Sequence, residues 1–253
     1  MVSLLVAAFI LQSPSAGRTL IWSDEFNYKG LPDPTKWGYE VGRVRNHEDQ
    51  FYTEARVENA RVDGKNLVIE ACKEPWEGAS VTSASVTSKA SWKDVYVEVR
   101  AKIPTGRGTW PAIWFLGDTH RNGGPGWPWC GEIDLMENVG WMPDKLHFTV
   151  HTGPANKGDR DYSKGTNITV PNCWDDFHVY GLDWKTDRLD MYFDGKLVFT
   201  YKADPANPNS WPFDKPAYLL LNLAIGGEWG GVKGVDDSIF PAKYLIDYVR
   251  VYR

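Results

Sequence analysis

The chain has 253 residues, a net charge of −5 and 13 tryptophans. The negative charge argues against nucleic acid or a heavily sulfated polymer as the ligand, because such polyanions require a basic surface. The many aromatic side chains instead favour a neutral carbohydrate, since flat rings stack on the apolar faces of pyranose sugars. Three cysteines (Cys72, Cys130 and Cys173) lack the spacing of a zinc site and allow at most one disulfide.

The N-terminal residues have the pattern of an export signal. An apolar run over residues 2–11 is followed by small residues up to Ala16. A run of about ten residues is too short to span a bilayer, and small residues after it are typical of signal cleavage. We therefore predict a secretion signal over residues 1–16 and a single domain over residues 17–253. The protein is expected to be extracellular or periplasmic and monomeric, with no nucleic-acid or membrane partner.

From residue 19 onward, the sequence has short strands separated by turns. Residues 95–100 alternate at period two, as a half-buried strand does. Residues 146–151 alternate as well, with apolar residues on one face and polar residues on the other: Leu146, Phe148 and Val150 against His147, Thr149 and His151. Both segments are predicted strands.

Two further strand signals lie near the C-terminus. Asp194-Gly195 suits a two-residue turn and joins the runs 189–193 and 196–201 into a predicted hairpin. Residues 243–253 also alternate, which puts Leu245, Asp247, Val249 and Val251 on one side. No helical pattern exceeds two turns after the leader. We predict an all-β sandwich of two antiparallel sheets, whose concave face offers an open groove for a polymer.

Three acids crowd an otherwise apolar segment, Glu132-Ile133-Asp134-Leu135-Met136-Glu137. On a regular strand Glu132 and Asp134 share a face, but Glu137 points into the core, where an unpaired carboxylate costs several kcal/mol. One extra residue near Leu135-Met136 returns Glu137 to the face of Glu132. The spacing therefore predicts a β-bulge.

Acids aligned in this way suit the hydrolysis of a glycosidic bond. A retaining enzyme uses one ionised carboxylate as nucleophile and one protonated carboxyl as general acid. Crowding separates the pKa values of neighbouring acids. We assign Glu132 as nucleophile, Glu137 as acid/base and Asp134 as the residue that orients Glu132. A calcium site or a solvated acidic face fits less well, because isoleucine, leucine and methionine interleave the acids.

The segment Gly131–Asn138 resembles the active-site signature of glycoside hydrolase family 16, in the longer form of the laminarinases. Five further segments are similar to the family, in the same order along the chain: 21–26, 105–114, 150–153, 221–231 and 246–252. The resemblance implies a β-jelly-roll sandwich with a concave substrate cleft. It also implies retaining endo-hydrolysis of internal 1,3-β-glucosidic bonds in laminarin-like β-glucans.

The resemblance extends to residues that contact substrate. It implies that Trp110 and Trp114 line the non-reducing side of the cleft, that Trp127 and Trp229 are further sugar platforms, and that the amide of Asn46 binds sugar hydroxyls. For Trp114 a core position is equally compatible with the sequence.

His151 shares strand parity with His147, and we predict that it hydrogen-bonds near Glu137 or a leaving-group sugar. No cofactor is expected for catalysis. Family members often bind a structural calcium ion on the convex side, and the matching positions are Glu25, the carbonyl of Gly64 and Asp247.

Some positions depart from the family pattern. His47 and Asp49 replace common residues of the laminarinases, and Glu228 stands where asparagine is usual. Alternative functions are hydrolysis of mixed-linkage β-glucan, agar or carrageenan, and transglycosylation. A non-catalytic β-glucan-binding protein is a further alternative, although such relatives lack the two glutamates.

Overall fold

The structure is a computed structural model that describes residues 15–153 and 162–253. Residues 1–14, which make up most of the predicted secretion signal, lie outside the described residues, as do residues 154–161. Within the described ranges, no helix has the length and apolar character needed to cross a membrane.

The regular secondary structure of the described chain is almost entirely β-strand, with a few short helical turns. The strands are β1 (Leu20–Asp24), β2 (Lys29–Gly30), β3 (Trp37–Glu40), β4 (Gln50–Tyr52), β5 (Ala60–Asp63), β6 (Leu67–Trp76), β7 (Ala79–Ser83), β8 (Ser85–Trp92), β9 (Tyr96–Lys102), β10 (Thr109–Gly117), β11 (Glu132–Glu137), β12 (Lys145–Thr152), β13 (Tyr162–Thr169), β14 (His178–Trp184), β15 (Arg188–Phe193), β16 (Lys196–Lys202), β17 (Ala217–Ile225) and β18 (Ala242–Tyr252). The helix α1 spans Gly227–Gly230, and 3₁₀ turns lie at Asp118–His120, Pro208–Ser210, Pro212–Asp214 and Asp237–Ile239.

The strands form two sheets. The larger has the order β16-β15-β14-β9-β18-β6-β5-β2, with β1 added on β18 and β7 joining β6 to β4. The smaller has seven strands in the order β13-β12-β11-β10-β17-β8-β3. All pairs are antiparallel except β4 with β7, which run parallel. The predicted all-β jelly-roll sandwich of two sheets is thus confirmed, with one parallel pair at an edge.

A large apolar core lies between the sheets. In β12, Leu146, Phe148 and Val150 are fully buried in it. The intervening side chains, including His147 and His151, are only partly buried and project from the opposite face. The predicted alternation in this strand is confirmed. This alternation gives the seven-stranded sheet an inner face that packs on the core and an outer face that is available to a ligand.

The predicted hairpin between β15 and β16 is also present. Phe193 pairs with Lys196 across the turn. Asp194 and Gly195 both have positive φ, 46° and 76°, as a primed two-residue turn requires.

The C-terminal strand differs from its prediction. The register of β18 against β9 shifts between Ile246 and Tyr248, so the strand bulges at Asp247. Ile246 and Val249 consequently both face the core, whereas Leu245 and Asp247 are only partly buried. The prediction that Leu245, Asp247, Val249 and Val251 share one side was wrong, because one extra residue reverses the parity of everything after it.

All three cysteines are free. Cys130 and Cys173 are buried, and burial raises the pKa of each thiol to about 11. A protonated, enclosed thiol is inert, so Cys130 fills space beside Glu132 and is not a nucleophile.

Candidate active site

Strand β11 carries the predicted bulge. Against β12, Glu132 lies opposite His151, Asp134 opposite Thr149 and Glu137 opposite His147. From Asp134 to Glu137, β11 advances three residues, whereas the facing part of β12, from Thr149 to His147, spans only two. Against β10 the register skips Leu135, which has no partner of its own.

The bulge determines where the acids point. Leu135 and Met136 are consecutive, yet both are fully buried in the core. Glu132, Asp134 and Glu137 all line one cleft on the outer face of the seven-stranded sheet. The extra residue therefore restores Glu137 to the face of Glu132, as its five-residue spacing predicts.

The cleft has a volume of about 680 Å³. Its walls come from strands β3, β10, β11, β12 and β17, from the loop after β3, from the segment between β10 and β11 and from helix α1, and they combine aromatic, acidic and amide side chains. The lining residues are Glu40, Val44, Arg45, Asn46, Glu48, Trp110, Ala112, Trp114, Leu116, His120, Trp127, Glu132, Asp134, Glu137, His147, Thr149, His151, Asn222 and Trp229. Every residue predicted to be catalytic or to bind substrate is in this set.

Burial and mutual repulsion hold protons on the acids. Burial raises the pKa of Glu137 to about 8, and the charge of Asp134 adds to this effect. The pKa of Glu132 is raised for the same two reasons, while the nearby His151 and Arg45 oppose the rise. The charge of Glu137 also raises the pKa of Glu132, so a proton kept on Glu137 favours the ionised form of Glu132. The site can therefore hold one protonated and one ionised glutamate together near neutral pH.

His151 contacts a different acid from the one expected. Its Nε2 atom lies 3.2 Å from Oδ2 of Asp134 and 3.9 Å from Oε1 of Glu132. Ligand atoms of these three residues lie within 4.8 Å of one another, an arrangement that could also hold a metal ion. The expected partner Glu137 faces His147 instead, because the antiparallel pairing of the two strands sets His151 opposite Glu132, at the other end of the acid segment. His151 thus lies beside Asp134 and Glu132.

Trp110 contacts Glu137 directly. Its indole N–H donates a 2.9 Å hydrogen bond to Oε1 of the carboxyl group. Trp229 packs edge-on against Trp110, with ring centroids 5.4 Å apart, and His147 packs against Trp229 at 4.8 Å. These contacts hold the carboxyl group of Glu137 in place.

His147 was not among the predicted site residues. Its Nε2 atom is buried and has no hydrogen-bond partner among the described residues. Burial lowers the pKa of the imidazole, so the ring is neutral at ordinary pH. The alternation of β12, which places His147 on the face of His151, was the signal that could have identified it.

Trp114 is buried and lines the cleft at the same time. The guanidinium group of Arg45 lies over one face of its ring, 4.8 Å from the ring centroid. Its indole N–H donates to Oδ1 of Asn222, whose amide donates to the hydroxyl of Tyr52. Asn222 was missed, although it is a lone amide in the apolar strand β17.

Asn46 and Glu48 form one wall of the cleft. Glu48 is 3% exposed, yet its carboxylate accepts hydrogen bonds from Gln50 (2.7 Å), Tyr52 (3.2 Å) and Asn46 (3.3 Å). Burial raises its pKa. Glu40 forms an ion pair with Arg45 beside it.

The rim of the cleft contains Trp127, which is 47% exposed and packs obliquely on His151 at 5.9 Å. Elsewhere on the surface, Nδ1 of His47 lies within hydrogen-bond distance of Oε1 of Glu228, at 2.8 Å. Two of the departures from the family pattern therefore contact each other. The backbone N–H of Glu228 also donates to the carbonyl of Asn46, which ties helix α1 to the cleft wall.

The residues predicted to bind calcium lie on the larger sheet or beside it. The carboxylate of Glu25 accepts two hydrogen bonds from Arg250, at 3.0 and 2.7 Å. Asp247 accepts a 2.6 Å hydrogen bond from Arg100. Gly64 has a φ of 101°, and Lys29 packs over it. Both carboxylates are thus engaged by arginine, and calcium would have to displace two guanidinium groups.

The geometry is that of a glycosidase cleft, and comparisons with known proteins agree. The model of the glycosyl hydrolases family 16 matches residues 47–250. A β-glucanase of Rhodothermus marinus is 47% identical, over 100% of this chain and 93% of its own length. The glucan endo-1,3-β-glucosidase A1 of Niallia circulans is 37% identical over 94% of this chain, which spans 38% of that longer protein.

Among solved structures, the X-ray structure of the laminarinase from Rhodothermus marinus aligns with a TM-score of 0.87 and 47% identity. The alignment covers 93% of this chain and 97% of that one. The chain belongs to the glycosyl hydrolases family 16.

Proposed function

We propose that the protein is an endo-1,3-β-glucanase that cleaves laminarin-like β-glucans with retention of configuration. The observation that carries the proposal is the bulged strand β11, which brings Glu132, Asp134 and Glu137 onto the floor of one aromatic-lined cleft. The relatives named as a laminarinase and an endo-1,3-β-glucosidase support both the substrate class and the internal position of the cut.

The chemistry follows from the protonation states of the site. Ionised Glu132 attacks the anomeric carbon while protonated Glu137 gives its proton to the departing glycosidic oxygen. A covalent glycosyl-enzyme ester results. Glu137, now a base, then takes a proton from water, whose oxygen displaces Glu132 with a second inversion. Asp134, held by His151, fixes the position of Glu132, and the family needs no catalytic cofactor.

Substrate class is tested by product analysis. The protein is incubated with laminarin, lichenan, agarose and carrageenan, and new reducing ends are counted while the chain length of each polymer is followed. We expect rapid shortening of laminarin and weaker or no cleavage of the galactans. Cleavage of agarose or carrageenan without laminarin would replace the proposed substrate.

The separate roles of the two glutamates need a sharper test than loss of activity. Glu132→Gln and Glu137→Gln are each expected to lower kcat by at least about 10³-fold. Addition of azide to Glu132→Ala and Glu137→Ala then distinguishes the roles, because azide attacks the sugar directly in the first and the glycosyl-enzyme in the second. We expect an α-glycosyl azide from Glu132→Ala and a β-glycosyl azide from Glu137→Ala. Exchanged products would reverse the assignment.

Hydrolysis must also be separated from transfer and from binding alone. A retaining intermediate can pass its sugar to another sugar, so longer oligosaccharides formed from a labelled acceptor would indicate transglycosylation. Binding of laminarin with no product after prolonged incubation would indicate a recognition protein.

We also propose a structural calcium ion near Glu25, Gly64 and Asp247. Because two arginines already occupy the carboxylates, we expect stabilisation only at millimolar Ca²⁺. Thermal melts with Ca²⁺ and with a chelator test this, and an unchanged Tm would contradict it.

We further propose export after cleavage at Ala16 and a monomeric state. Mass spectrometry of the mature N-terminus and light scattering of the purified protein test these two proposals.

A further inference from the structure

A second aromatic surface lies outside the cleft, at the tip of the hairpin formed by β6 and β7. Trp76 pairs with Ala79 across the turn and is 37% exposed. Glu77 and Gly78 between them have φ of 46° and 78°, the signature of a tight primed turn. The ring is therefore held on a short, well-defined hairpin.

The orientation of Trp76 is fixed from one side. The guanidinium group of Arg56 lies 4.6 Å from the ring centroid. Arg56 is itself held by both carboxylate oxygens of Glu74, at 2.5 and 3.1 Å. An aromatic ring immobilised before a ligand arrives loses little conformational entropy on binding, as a sugar platform requires.

Two depressions meet at this ring. One, of about 510 Å³, is lined by Trp76 together with Arg43, Asp49 and Ser80. The other, of about 660 Å³, lies among Phe51, Glu54 and Arg56. Acidic, basic and hydroxyl side chains thus surround an exposed indole. This combination suits a neutral polyhydroxylated ligand, because the ring stacks on a sugar face while the polar groups bind its hydroxyls.

The surface lies across one loop from the catalytic cleft. Arg43 and Asp49 line the first depression, while Val44 and Asn46, in the same loop, line the cleft. Arg43 also donates a hydrogen bond to the carbonyl of Glu48. One loop therefore separates the two binding surfaces, so that polymer held at Trp76 is kept close to the acids.

We propose that Trp76 and the depression lined by Arg43, Asp49 and Ser80 form an accessory site for the β-glucan polymer. This inference rests on the proposed function, because its ligand is the substrate of that function. Short oligosaccharides that fit the cleft do not reach the accessory site, whereas long chains gain affinity because they bind both surfaces at once.

The test compares Trp76→Ala with the wild type on laminarin and on a 1,3-linked tetrasaccharide. We expect KM for laminarin to rise about fivefold to tenfold, with kcat unchanged and kcat/KM for the tetrasaccharide unchanged. Trp76→Phe should restore most of the affinity, since it keeps a ring. Leu197→Ala, at another exposed apolar residue, is the matched control and should leave the kinetic constants for both substrates unchanged.

A second variant and a binding measurement keep the outcome clear. Ser80→Arg leaves Trp76 in place but fills the depression, and should raise KM for laminarin as Trp76→Ala does. Retardation in gels that contain laminarin is measured for the same proteins, with melting curves to confirm folding.

If the wild type cleaves laminarin and all folded variants match it on the polymer, the accessory site is overturned and the proposed function stands. If the wild type cleaves no glucan, the proposed function fails. The gel retardation then decides the accessory site alone: weaker binding by Trp76→Ala supports it, and equal binding overturns it.

Discussion

The indole N–H of Trp110 donates a 2.9 Å hydrogen bond to Oε1 of Glu137. This bond favours the ionised carboxylate and so opposes the rise in pKa that burial and Asp134 cause. The acid therefore keeps its proton at neutral pH but can still give it up during the reaction.

The basic limb of the pH–rate profile should report Glu137. Because its pKa is raised to about 8, kcat/KM is expected to fall as pH rises through about 8, where the general acid loses its proton. Trp110→Phe removes the N–H donor, raises the pKa further and should move this limb to higher pH. Trp229→Phe keeps the bond from Trp110 and serves as the control. A limb that does not move in Trp110→Phe would contradict the assignment.

The acidic limb should respond to His151. The charge of His151 lowers the pKa of Glu132, so His151→Asn is expected to raise that pKa. If Glu132 ionises only at higher pH, the acidic limb moves to higher pH and kcat at neutral pH falls. His47→Asn, at an exposed histidine, provides a matched control that should leave both limbs in place. A loss of activity with no shift of the limb would mean that His151 only supports the fold.

The raised pKa of Glu137 also predicts how stability depends on pH. A carboxyl group whose pKa rises on folding stabilises the native state fully below its ordinary value of 4.5, and this stabilisation is lost as pH rises to about 8. Glu137→Gln cannot ionise, so its Tm relative to the wild type should increase steadily from pH 4.5 to pH 8. Glu54→Gln, at an exposed position, should show no such trend. Melting curves across this range measure the difference, and parallel curves would show that Glu137 titrates normally.

The bulge residue Leu135 should be costly to truncate. Leu135 and its neighbour Met136 are both fully buried in the core, although consecutive residues of a regular strand point to opposite faces. Leu135→Ala leaves a cavity under the bulge and is expected to lower the free energy of unfolding by about 2–5 kcal/mol. Leu197→Ala, at an exposed position of β16, should change it by less than about 0.5 kcal/mol. Denaturant titration measures both. Equal effects would mean that the bulge does not depend on packing.

The sequence alone predicted the two-sheet architecture and the floor of the cleft. Alternation in β12 placed Leu146 and Phe148 inward, and the spacing from Glu132 to Glu137 required one extra residue in β11. Both inferences rest on the period of two along a strand, which is a local property of the chain. The same counting failed in β18, because its acid Asp247 lies on the outer surface, where burial cost does not reveal a bulge.

Only the tertiary structure decided which side chains meet across the cleft. The register of β11 against β12 puts His151 beside Asp134 and leaves Glu137 opposite His147. The loop after β3 brings Arg45 over Trp114, and no pattern within either segment indicates that contact. Periodicity sets the face on which a side chain lies. The partner it meets depends on register and on loops between distant strands, which only the assembled sheets determine.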